Sequence, residues 1–379
     1  MVVIREVKTL WDRLRFVNYP NVLYKGVPQY VPAMLGDDLS DWNPKKNQAF
    51  AYCDARCWLA WRDGKIVGRI GAILSRRANE KWHTRRMRFT QVDFIDDFEV
   101  SSVLFKTVED WAREKGCDEV HGPLGFTDLD REGMLIEGFD RRSMFITYYN
   151  HPYYPVHLEK LGYAKDVDWV ELLIDVPYDE HTCTRMDKLA ERVMRFSKLH
   201  VAEVKSRREY KPLIRKVFNM VNTAYAGLYG TVPLDERQVK RYADKFIPLI
   251  NPDLACFVLD EQDELAGFGV SAPSMARAMQ KSKGRLFPVG WIRVLRALKV
   301  NDTLDLFLVA VREEYQNKAV NAIMLNHVLK GAQKMGIKQA ETGPQLETNH
   351  KVQSQWNFFK TEQHKRRRCY IKSLAPAGE

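Results

Sequence analysis

The order of secondary-structure signals in this sequence occurs twice, and this repeat constrains the possible folds more than any other feature. Each half is predicted to contain a strand, a helix, a hairpin of two strands, a fourth strand, a second helix and a short last strand. The short strand runs into a Gly-Pro pair in both halves, at Gly122-Pro123 and Gly343-Pro344. An internal duplication explains this order most simply. We therefore expect an α/β fold with mixed sheets, in two related domains that meet near residues 177–184.

Length and composition agree with two packed domains. A chain of 379 residues is long for a single core, and 45% of its residues are hydrophobic, which is enough for two. No apolar run approaches the roughly 20 residues of a membrane-spanning helix. The first residues include Arg5, Glu6 and Lys8, where a signal peptide would have an apolar core. We therefore expect a soluble, cytoplasmic protein.

Charge and cysteine usage narrow the classes of partner. The net charge of +10 favours anionic partners such as nucleotides, acyl-CoA, nucleic acid or anionic lipid. Of the six cysteines only Cys53 and Cys57 are close, and their spacing matches neither a zinc knuckle nor a redox pair. No His-x-x-x-His pattern is present in the sequence. We expect buried, reduced thiols and no bound metal.

One long irregular segment, residues 124–149, has no counterpart in the second half. Asn349 follows Gly343-Pro344 almost at once, so this segment is an insertion in the first half. Loops of this length in a compact domain are usually functional or disordered, and its aromatic and aliphatic residues argue against disorder. Four of its acidic residues could bind a cationic amine or act as a general base, although Asp also favours turns; they are Asp128, Asp130, Glu137 and Asp140.

The segment from Leu308 to Ala322 has the pattern of a phosphate-binding strand, loop and helix. A buried strand is predicted to end at Val311, and a helix with small residues in its first turn begins near Ala319. Unpaired backbone N–H groups and the helix dipole make such a helix start a site for anions. Small side chains let a pyrophosphate approach the backbone, and Gln316 and Lys318 add hydrogen-bond donors.

These features resemble the GCN5-related N-acetyltransferase (GNAT) superfamily. Its Gln/Arg-x-x-Gly-x-Gly/Ala signature aligns with residues 316–321, where Ala319 and Asn321 replace both glycines. The family's Asn after the fifth strand corresponds to Asn349, and its general-acid Tyr falls on Trp356, whose indole cannot supply a proton at useful pH. The resemblance implies that acyl-CoA, as co-substrate, is bound by Val309, Ala310, Val311, Gln316, Asn317, Lys318, Ala319, Val320, Asn321 and Asn349.

The first half resembles the same family but lacks the phosphate loop. Its segment from Asn150 to Tyr163 is similar to the family's fourth helix and the Gly-Phe/Tyr end of that helix. The loop position reads Ile95-Asp96-Asp97-Phe98-Glu99, and three carboxylates would repel a pyrophosphate. We therefore expect one GNAT-like domain at residues 1–177, with the insertion 124–149, and a second at residues 178–379, with the acyl-CoA loop.

The resemblance implies transfer of an acyl group, acetyl or longer, from CoA to an amine. Tandem domains of this fold occur in protein N-myristoyltransferases and peptidoglycan-bridge aminoacyltransferases, where one half holds the donor and the acceptor lies between the halves. The acceptor implied here is a small-molecule amine or a lipid-like amine between the two domains. The neutral amine would attack the thioester directly, with a backbone N–H near Ala310 and Val311 holding the oxyanion.

Three residues are candidates for proton transfer. Glu137 follows Leu135 and Ile136, so we expect it to be partly buried. Asp305 begins the strand on which the family often places a carboxylate base. His157 lies near the position of the family's general acid, and a hydrogen-bonded structural role is its alternative.

Two other functions stay open. The chain could be a non-catalytic protein of the same fold that binds a nucleotide, a lipid or RNA, or a transferase that uses aminoacyl-tRNA as donor. The basic run from Lys365 to Arg368 would suit a phosphate backbone. The run is short and Tyr370 is its one neighbouring aromatic residue, which argues against nucleic acid as a partner.

Overall fold

The structure is a computed structural model that describes residues 1–204 and 209–374. The strands in these ranges are β1 (Val3–Glu6), β2 (Cys53–Arg62), β3 (Lys65–Ser75), β4 (Arg86–Phe94), β5 (Glu119–Gly122), β6 (Met134–Glu137), β7 (Ala164–Asp175), β8 (His200–Val201), β9 (Ala255–Leu259), β10 (Leu265–Pro273), β11 (Thr303–Val311), β12 (Gln339–Thr342), β13 (Gln345–Leu346) and β14 (Thr361–Ser373). The α-helices are α1 (Leu10–Leu23), α2 (Leu35–Asp41), α3 (Arg76–Trp82), α4 (Phe98–Glu114), α5 (Tyr153–Lys160), α6 (Glu180–Ser197), α7 (Tyr210–Ala224), α8 (Glu236–Phe246), α9 (Ala276–Ser282), α10 (Gly290–Ala297), α11 (Val320–Lys334) and α12 (His350–Gln353).

The described residues form two compact units. The first contains residues 1–170, 276–293 and 364–374, and the second contains 171–204, 209–275 and 294–363. These units differ from the expected domains 1–177 and 178–379 chiefly because the end of β14 belongs to the first unit, where Tyr370–Ser373 pair with Gly122–Glu119 of β5. Strand partners far away in the sequence decide this assignment. The domain boundary at residue 177 stays a prediction.

In the first unit, local signals place the central strands and the helix that covers them. Strands β2 and β3 form the expected hairpin, and both turn residues, Asp63 and Gly64, have the positive φ angles that an Asp-Gly turn adopts (49° and 74°). Strand β4 pairs antiparallel with β3 and parallel with β5. Helix α4 runs between β4 and β5 and buries Val100, Leu104 and Val108 at helical spacing in the core of this unit.

The second unit repeats this order, as the duplication predicted. Strands β9, β10 and β11 form an antiparallel group, and β11 pairs in parallel with β12. Helix α11 makes the crossover from β11 to β12 and ends before Gly336, which has a φ of 71°. Its buried residues Val320, Ile323 and Met324 join a core with Cys256, Val258 and Ala266 of the neighbouring strands.

The insertion contains more structure than its sequence indicated. Strand β6 lies inside the segment that we expected to be irregular, and its Leu135 pairs with Arg367 of β14. The Asn150 side chain accepts a hydrogen bond from the Leu135 N–H (2.7 Å) and donates one to the Leu135 C=O (3.0 Å). The Asn150 amide thus satisfies the N–H and the C=O of Leu135 as a neighbouring strand would. The expectation that the whole insertion is irregular is therefore wrong.

Two simpler expectations can be compared directly with the structure. Five of the cysteines are buried, as predicted; Cys183 is partly exposed. Among the described residues, no helix has both the length and the apolar content required to cross a bilayer.

Candidate functional site

Strand β11 separates from its parallel neighbour β12 halfway along its length. The two strands are in register from Thr303 to Leu306, and the Gly343 N–H donates to the Leu306 C=O at 2.9 Å. On its other side β11 stays paired with β10, but Val270 faces Leu308 and Ser271 faces Leu306, so Phe307 is an extra residue. This is a β-bulge, which bends a strand away from its neighbour and is common beside active sites. The C-terminal half of β11 therefore offers backbone groups that β12 does not bind.

The start of α11 has free backbone donors. Ala319 precedes the helix in a left-handed conformation (φ 58°), and no side chain caps it. Within the described residues, no acceptor is found for the N–H groups of Val320 and Asn321, which are the first two of the helix. These groups and the positive end of a 15-residue helix dipole point to a site for an anion. The predicted phosphate-binding turn thus has the backbone geometry that such a turn requires.

The equivalent helix of the first unit is closed by its own carboxylate. Asp97 precedes α4 and accepts hydrogen bonds from the N–H groups of Glu99 (2.9 Å) and Val100 (3.4 Å). Arg62 donates to the same carboxylate at 2.7 Å, and this bond holds the pKa of Asp97 below its usual value. An anion at this helix start would have to displace a charged group that already holds the donors. The loss of the phosphate loop from the first half stays a prediction.

The side chains of the loop before α11 divide into anchors and one exposed cation. Gln316 donates to the Val311 C=O at 3.3 Å, which links the two ends of the loop. Arg312 is held by Asp260 and Glu314, so its charge is neutralised inside the turn. Lys318 is exposed, and its Nζ lies 5.3 Å from the centre of the Tyr315 ring. Lys318 is therefore the side chain of this loop that is most available to a phosphate.

The two family positions downstream have structural roles in this chain. Asn349 caps α12, accepting a hydrogen bond from the Val352 N–H at 3.3 Å. Trp356 is buried in the core with Leu304 and Ala340, and its indole N–H lies 3.3 Å from Gln345 Oε1. Trp356 thus packs the sheet at the position where the family has its general acid.

Buried carboxylates lie on neighbouring strands of the second unit. Asp305 of β11 is fully buried and is in register with Glu341 of β12. One carboxylate oxygen of Glu341 lies within 4.8 Å of one of Glu171, inside β7, and both side chains are buried. Carboxylates are rarely buried without a reason that goes beyond packing. Sequence reasoning found Asp305 and missed the other two, because no local pattern relates three separate strands.

The other two candidates for proton transfer lie in the first unit. Glu137 is exposed and forms an ion pair with Arg366 at 3.3 Å, so the expectation of partial burial is wrong. Glu137 is the last residue of β6, and the exposure of the side chains rises toward this end of the strand, from the buried Leu135 through the partly buried Ile136. His157 is buried, with Nδ1 2.9 Å from the Ser101 hydroxyl and Nε2 3.0 Å from Asp96. Both ring nitrogens therefore have partners, as in a structural histidine.

A buried charge cluster in the first unit was not anticipated from the sequence. Arg69 donates to Asp93 at 2.7 Å, and Asp93 also accepts from the Tyr24 hydroxyl at 2.6 Å. Arg131 pairs with Asp38 at the same pocket. Asp93 lies next to a second bulge, where Gln91 of β4 has a φ of 42°, so β4 and β11 are distorted at corresponding places. The partners are far apart in sequence, which is why no spacing revealed them.

Solved structures share the fold of this chain along all or nearly all of their length. A tandem GNAT protein from the clavulanic acid biosynthesis pathway matches with a TM-score of 0.56 and 12% identity, covering 100% of both chains. The chain has a tandem GNAT fold. A GCN5-related N-acetyltransferase from Sphaerobacter thermophilus also matches this tandem GNAT fold, with a TM-score of 0.50 and 11% identity over 99% of this chain and 96% of that one. The fold expected from the sequence is thus confirmed.

The sequences of two relatives match this chain over most of its length. Protein YghO of Escherichia coli (strain K12) is 28% identical over 375 residues, which cover 96% of this chain and 93% of that protein. A bacterial ceramide synthase of Caulobacter vibrioides (strain NA1000 / CB15N) is 26% identical over 337 residues, covering 87% and 86% of the two chains. No protein-family model matches the sequence.

The left-handed conformation of Ala319 leads to a stability prediction. A residue with a Cβ is strained at a φ of 58°, and glycine, which the family has here, is not. We expect Ala319→Gly to raise the free energy of unfolding by up to about 1 kcal/mol, after the entropy of the more flexible unfolded chain is subtracted. Urea denaturation followed by circular dichroism measures this difference.

Ala332→Gly is the control, because Ala332 lies inside α11 with ordinary helical geometry. That change should lower the free energy of unfolding by about 1 kcal/mol or more. Equal losses in the two variants would contradict the assignment of strain to Ala319.

Proposed function

We propose that this protein is an N-acyltransferase that moves an acyl group from acyl-CoA to an amine. The observation that carries the proposal is the open start of α11 directly after the bulged strand β11, within a tandem GNAT fold. A pyrophosphate needs several converging donors, and the N–H groups of Val320 and Asn321 supply them without a competing side chain. Lys318, exposed on the same loop, adds a positive charge.

The unpaired edge of β11 suits the remainder of the donor. Amide groups of an extended ligand can pair with an exposed strand edge as another strand would. The Tyr225 hydroxyl already donates to the Val309 C=O at 2.9 Å, so a ligand would have to displace Tyr225 to use that carbonyl. We assign the oxyanion of the tetrahedral intermediate to a backbone N–H near Ala310 and Val311.

The proton chemistry requires little from the protein. The amine must be neutral when it attacks, and the proton that it loses on forming the amide must go to a base. We propose that Asp305 receives this proton through a chain of water molecules, because it lies five residues, about 16 Å, along β11 from Ala310 and cannot touch the amine directly. Glu137 is exposed and ion-paired, and both nitrogens of His157 have partners. The CoA thiolate is a good leaving group with no acid beside it, which fits the presence of Trp356 in place of a tyrosine.

We propose a lipid-like amine as the acceptor. Similarity to a bacterial ceramide synthase over 87% of this chain supports this choice, since a ceramide is the fatty amide of a long-chain amino alcohol. A long-chain acyl-CoA is then the donor that such an acceptor implies.

The cytoplasmic location stays a prediction.

Acyl-CoA binding is the first test. With acetyl-, octanoyl- or palmitoyl-CoA at about 100 times the dissociation constant, the free energy of unfolding should rise by about 2.7 kcal/mol. Calorimetric titration should give one CoA per chain, because Asp97 closes the equivalent helix of the first unit. Gln316→Glu should abolish the stabilisation, and Gln262→Glu, the same change on the exposed β9–β10 turn, should not.

The outcomes separate the alternatives. No stabilisation by any acyl-CoA would refute the donor site, and two CoA molecules per chain would refute the assignment of the first half. Amide formation from palmitoyl-CoA and a long-chain amino alcohol, followed by mass spectrometry, tests turnover. Asp305→Asn should abolish the product while CoA binding persists. Tight binding of CoA without product from any amine would favour the non-catalytic alternative.

A further inference from the structure

Residues 281–293 form a basic segment without any acidic residue. It runs from the end of α9 into α10, and no Asp or Glu occurs in the sequence between Glu264 and Asp302. Four exposed basic side chains lie in the segment, at Lys281, Lys283, Arg285 and Arg293. Because no carboxylate of the same stretch neutralises these charges, the segment has a local positive potential.

The same segment exposes large apolar side chains. Phe287 is 80% exposed, Ile292 is 52% exposed and Trp291 is 44% exposed, and Val289 is similar. Single exposed apolar residues are normal on a protein surface, but four within six consecutive positions form a patch. Such patches mark surfaces that contact a partner or a membrane.

The local backbone holds this patch in a defined shape. The Trp291 N–H donates to the Leu286 C=O at 2.8 Å, and its indole N–H donates to the Pro288 C=O at 3.0 Å. A Cβ on Gly290 would lie 1.9 Å from the Arg285 carbonyl oxygen, so the turn before α10 is too tight for any other residue. The hydrogen bonds and the tight backbone of this turn therefore fix the positions of Phe287 and Trp291 on the surface.

Helix α10 continues the same pattern. At 100° per residue, Trp291, Leu295 and Ile292 share one arc of the helix, and Arg296 and Arg293 follow on its edge. Leu295 and Arg296 are exposed as well. An apolar arc bordered by arginines is the arrangement of helices that lie in the interface of a membrane, where the charged groups reach the headgroups.

We propose that residues 281–293 dock this protein onto the surface of an anionic phospholipid bilayer. The lipid acyl region would take up Phe287, Trp291 and Ile292, and the headgroup phosphates would pair with the basic side chains. A second copy of this chain fits the surface poorly, because two patches with four cations each and no carboxylate repel each other. The proposal does not depend on the proposed acyl transfer, since membrane binding is measured without any acyl donor.

Vesicle sedimentation with the full chain tests the proposal. Vesicles of phosphatidylglycerol and phosphatidylcholine in equal amounts should bind the protein, and vesicles of phosphatidylcholine alone should bind it at least about tenfold more weakly. Lys283→Gln with Arg285→Gln should weaken binding to the anionic vesicles by about 30-fold, because each basic residue contributes about a factor of five. Raised salt concentration should act in the same direction.

The apolar patch is tested with a matched pair of double variants. Phe287→Ser with Trp291→Ser should reduce vesicle binding by about tenfold or more. Leu10→Ser with Trp11→Ser removes two apolar residues of α1 that are 58% and 72% exposed, and it should leave binding unchanged. Circular dichroism of both variants checks that each remains folded.

Three results would overturn the proposal: no sedimentation with either vesicle, equal binding to both vesicles, or equal effects of the two double variants. Light scattering without vesicles measures whether a second copy of this chain occupies the patch instead. Suppose that the protein does not sediment with vesicles, that it is a dimer, and that the Phe287 and Trp291 double variant is a monomer. These results together would show that a second copy covers this patch.

Discussion

Replacing Arg69 by methionine is expected to lower the free energy of unfolding by about 3–5 kcal/mol. The Arg69 and Asp93 side chains are only 3% and 7% exposed, and the Arg69 Nε donates to Asp93 at 2.7 Å. Arg69 also donates to the Phe16 C=O at 2.9 Å. Methionine retains much of the volume but leaves Asp93 charged, buried and supported only by the Tyr24 hydroxyl among its described hydrogen bonds. A buried carboxylate without its partner lowers the free energy of unfolding by much more than the intact pair contributes to it.

Urea denaturation of the variant and the parent protein measures this loss. Arg85→Met provides the control, because Arg85 pairs with Asp118 at 2.9 Å on the surface, where the two side chains are 72% and 42% exposed. That exposed pair should contribute less than about 1 kcal/mol. The double change Arg69→Met with Asp93→Leu should recover most of the loss, since it removes the uncompensated charge. A loss for Arg69→Met no larger than that for Arg85→Met would mean that water reaches Asp93.

Ala319→Asp is expected to weaken acyl-CoA binding on the order of 100-fold. Asp97 shows what a carboxylate does at such a position, since it holds the first donors of α4. A negative charge at Ala319 would compete for the Val320 and Asn321 N–H groups and would repel the pyrophosphate directly. The protein itself should not become less stable, because Asp tolerates a positive φ and a negative charge favours a helix start.

Ala319→Asn is the matched control, since it has the shape of aspartate without the charge. Calorimetric titration should find its affinity for palmitoyl-CoA within about tenfold of the parent, and raised salt should reduce the difference between the two variants. Equal affinities of the Asp and Asn variants would place the pyrophosphate somewhere other than the start of α11. The same result would leave the vesicle-binding proposal untouched, since that concerns residues 281–293.

The sequence predicted those parts of the fold that depend on short stretches of chain. Asp63-Gly64 predicts a hairpin because few other residues adopt positive φ angles there, and both residues do so in the structure. The segment around Ala319 predicts a strand, a turn and a helix start, and α11 begins one residue later. Each of these signals is local, so steric and hydrogen-bonding preferences within a few residues decide the outcome.

The candidate site was predicted less completely, and the errors have a common origin. Glu137 follows two apolar residues yet is exposed, because its strand lies where Arg366 meets it in solvent. His157 has both nitrogens occupied by residues 56 and 61 positions away. Asp305 was chosen from its strand alone, while Glu341 became relevant only through the parallel register. Burial and pairing of a side chain depend on distant residues, and a local pattern contains no information about them.

By itself, the sequence determined the doubled order of elements and the strand, turn and helix start around Ala319, since periodicity, turn residues and helix ends depend on neighbouring positions. The tandem GNAT fold was implied by the resemblance of short motifs to that superfamily. Only the tertiary structure decided that the end of β14 completes the first unit and that bulges at Gln91 and Phe307 distort the corresponding strands. It also decided that α4 is closed by Asp97 while α11 stays open. These are outcomes of long-range strand pairing and of side-chain competition for backbone donors, which are settled only when distant parts of the chain meet.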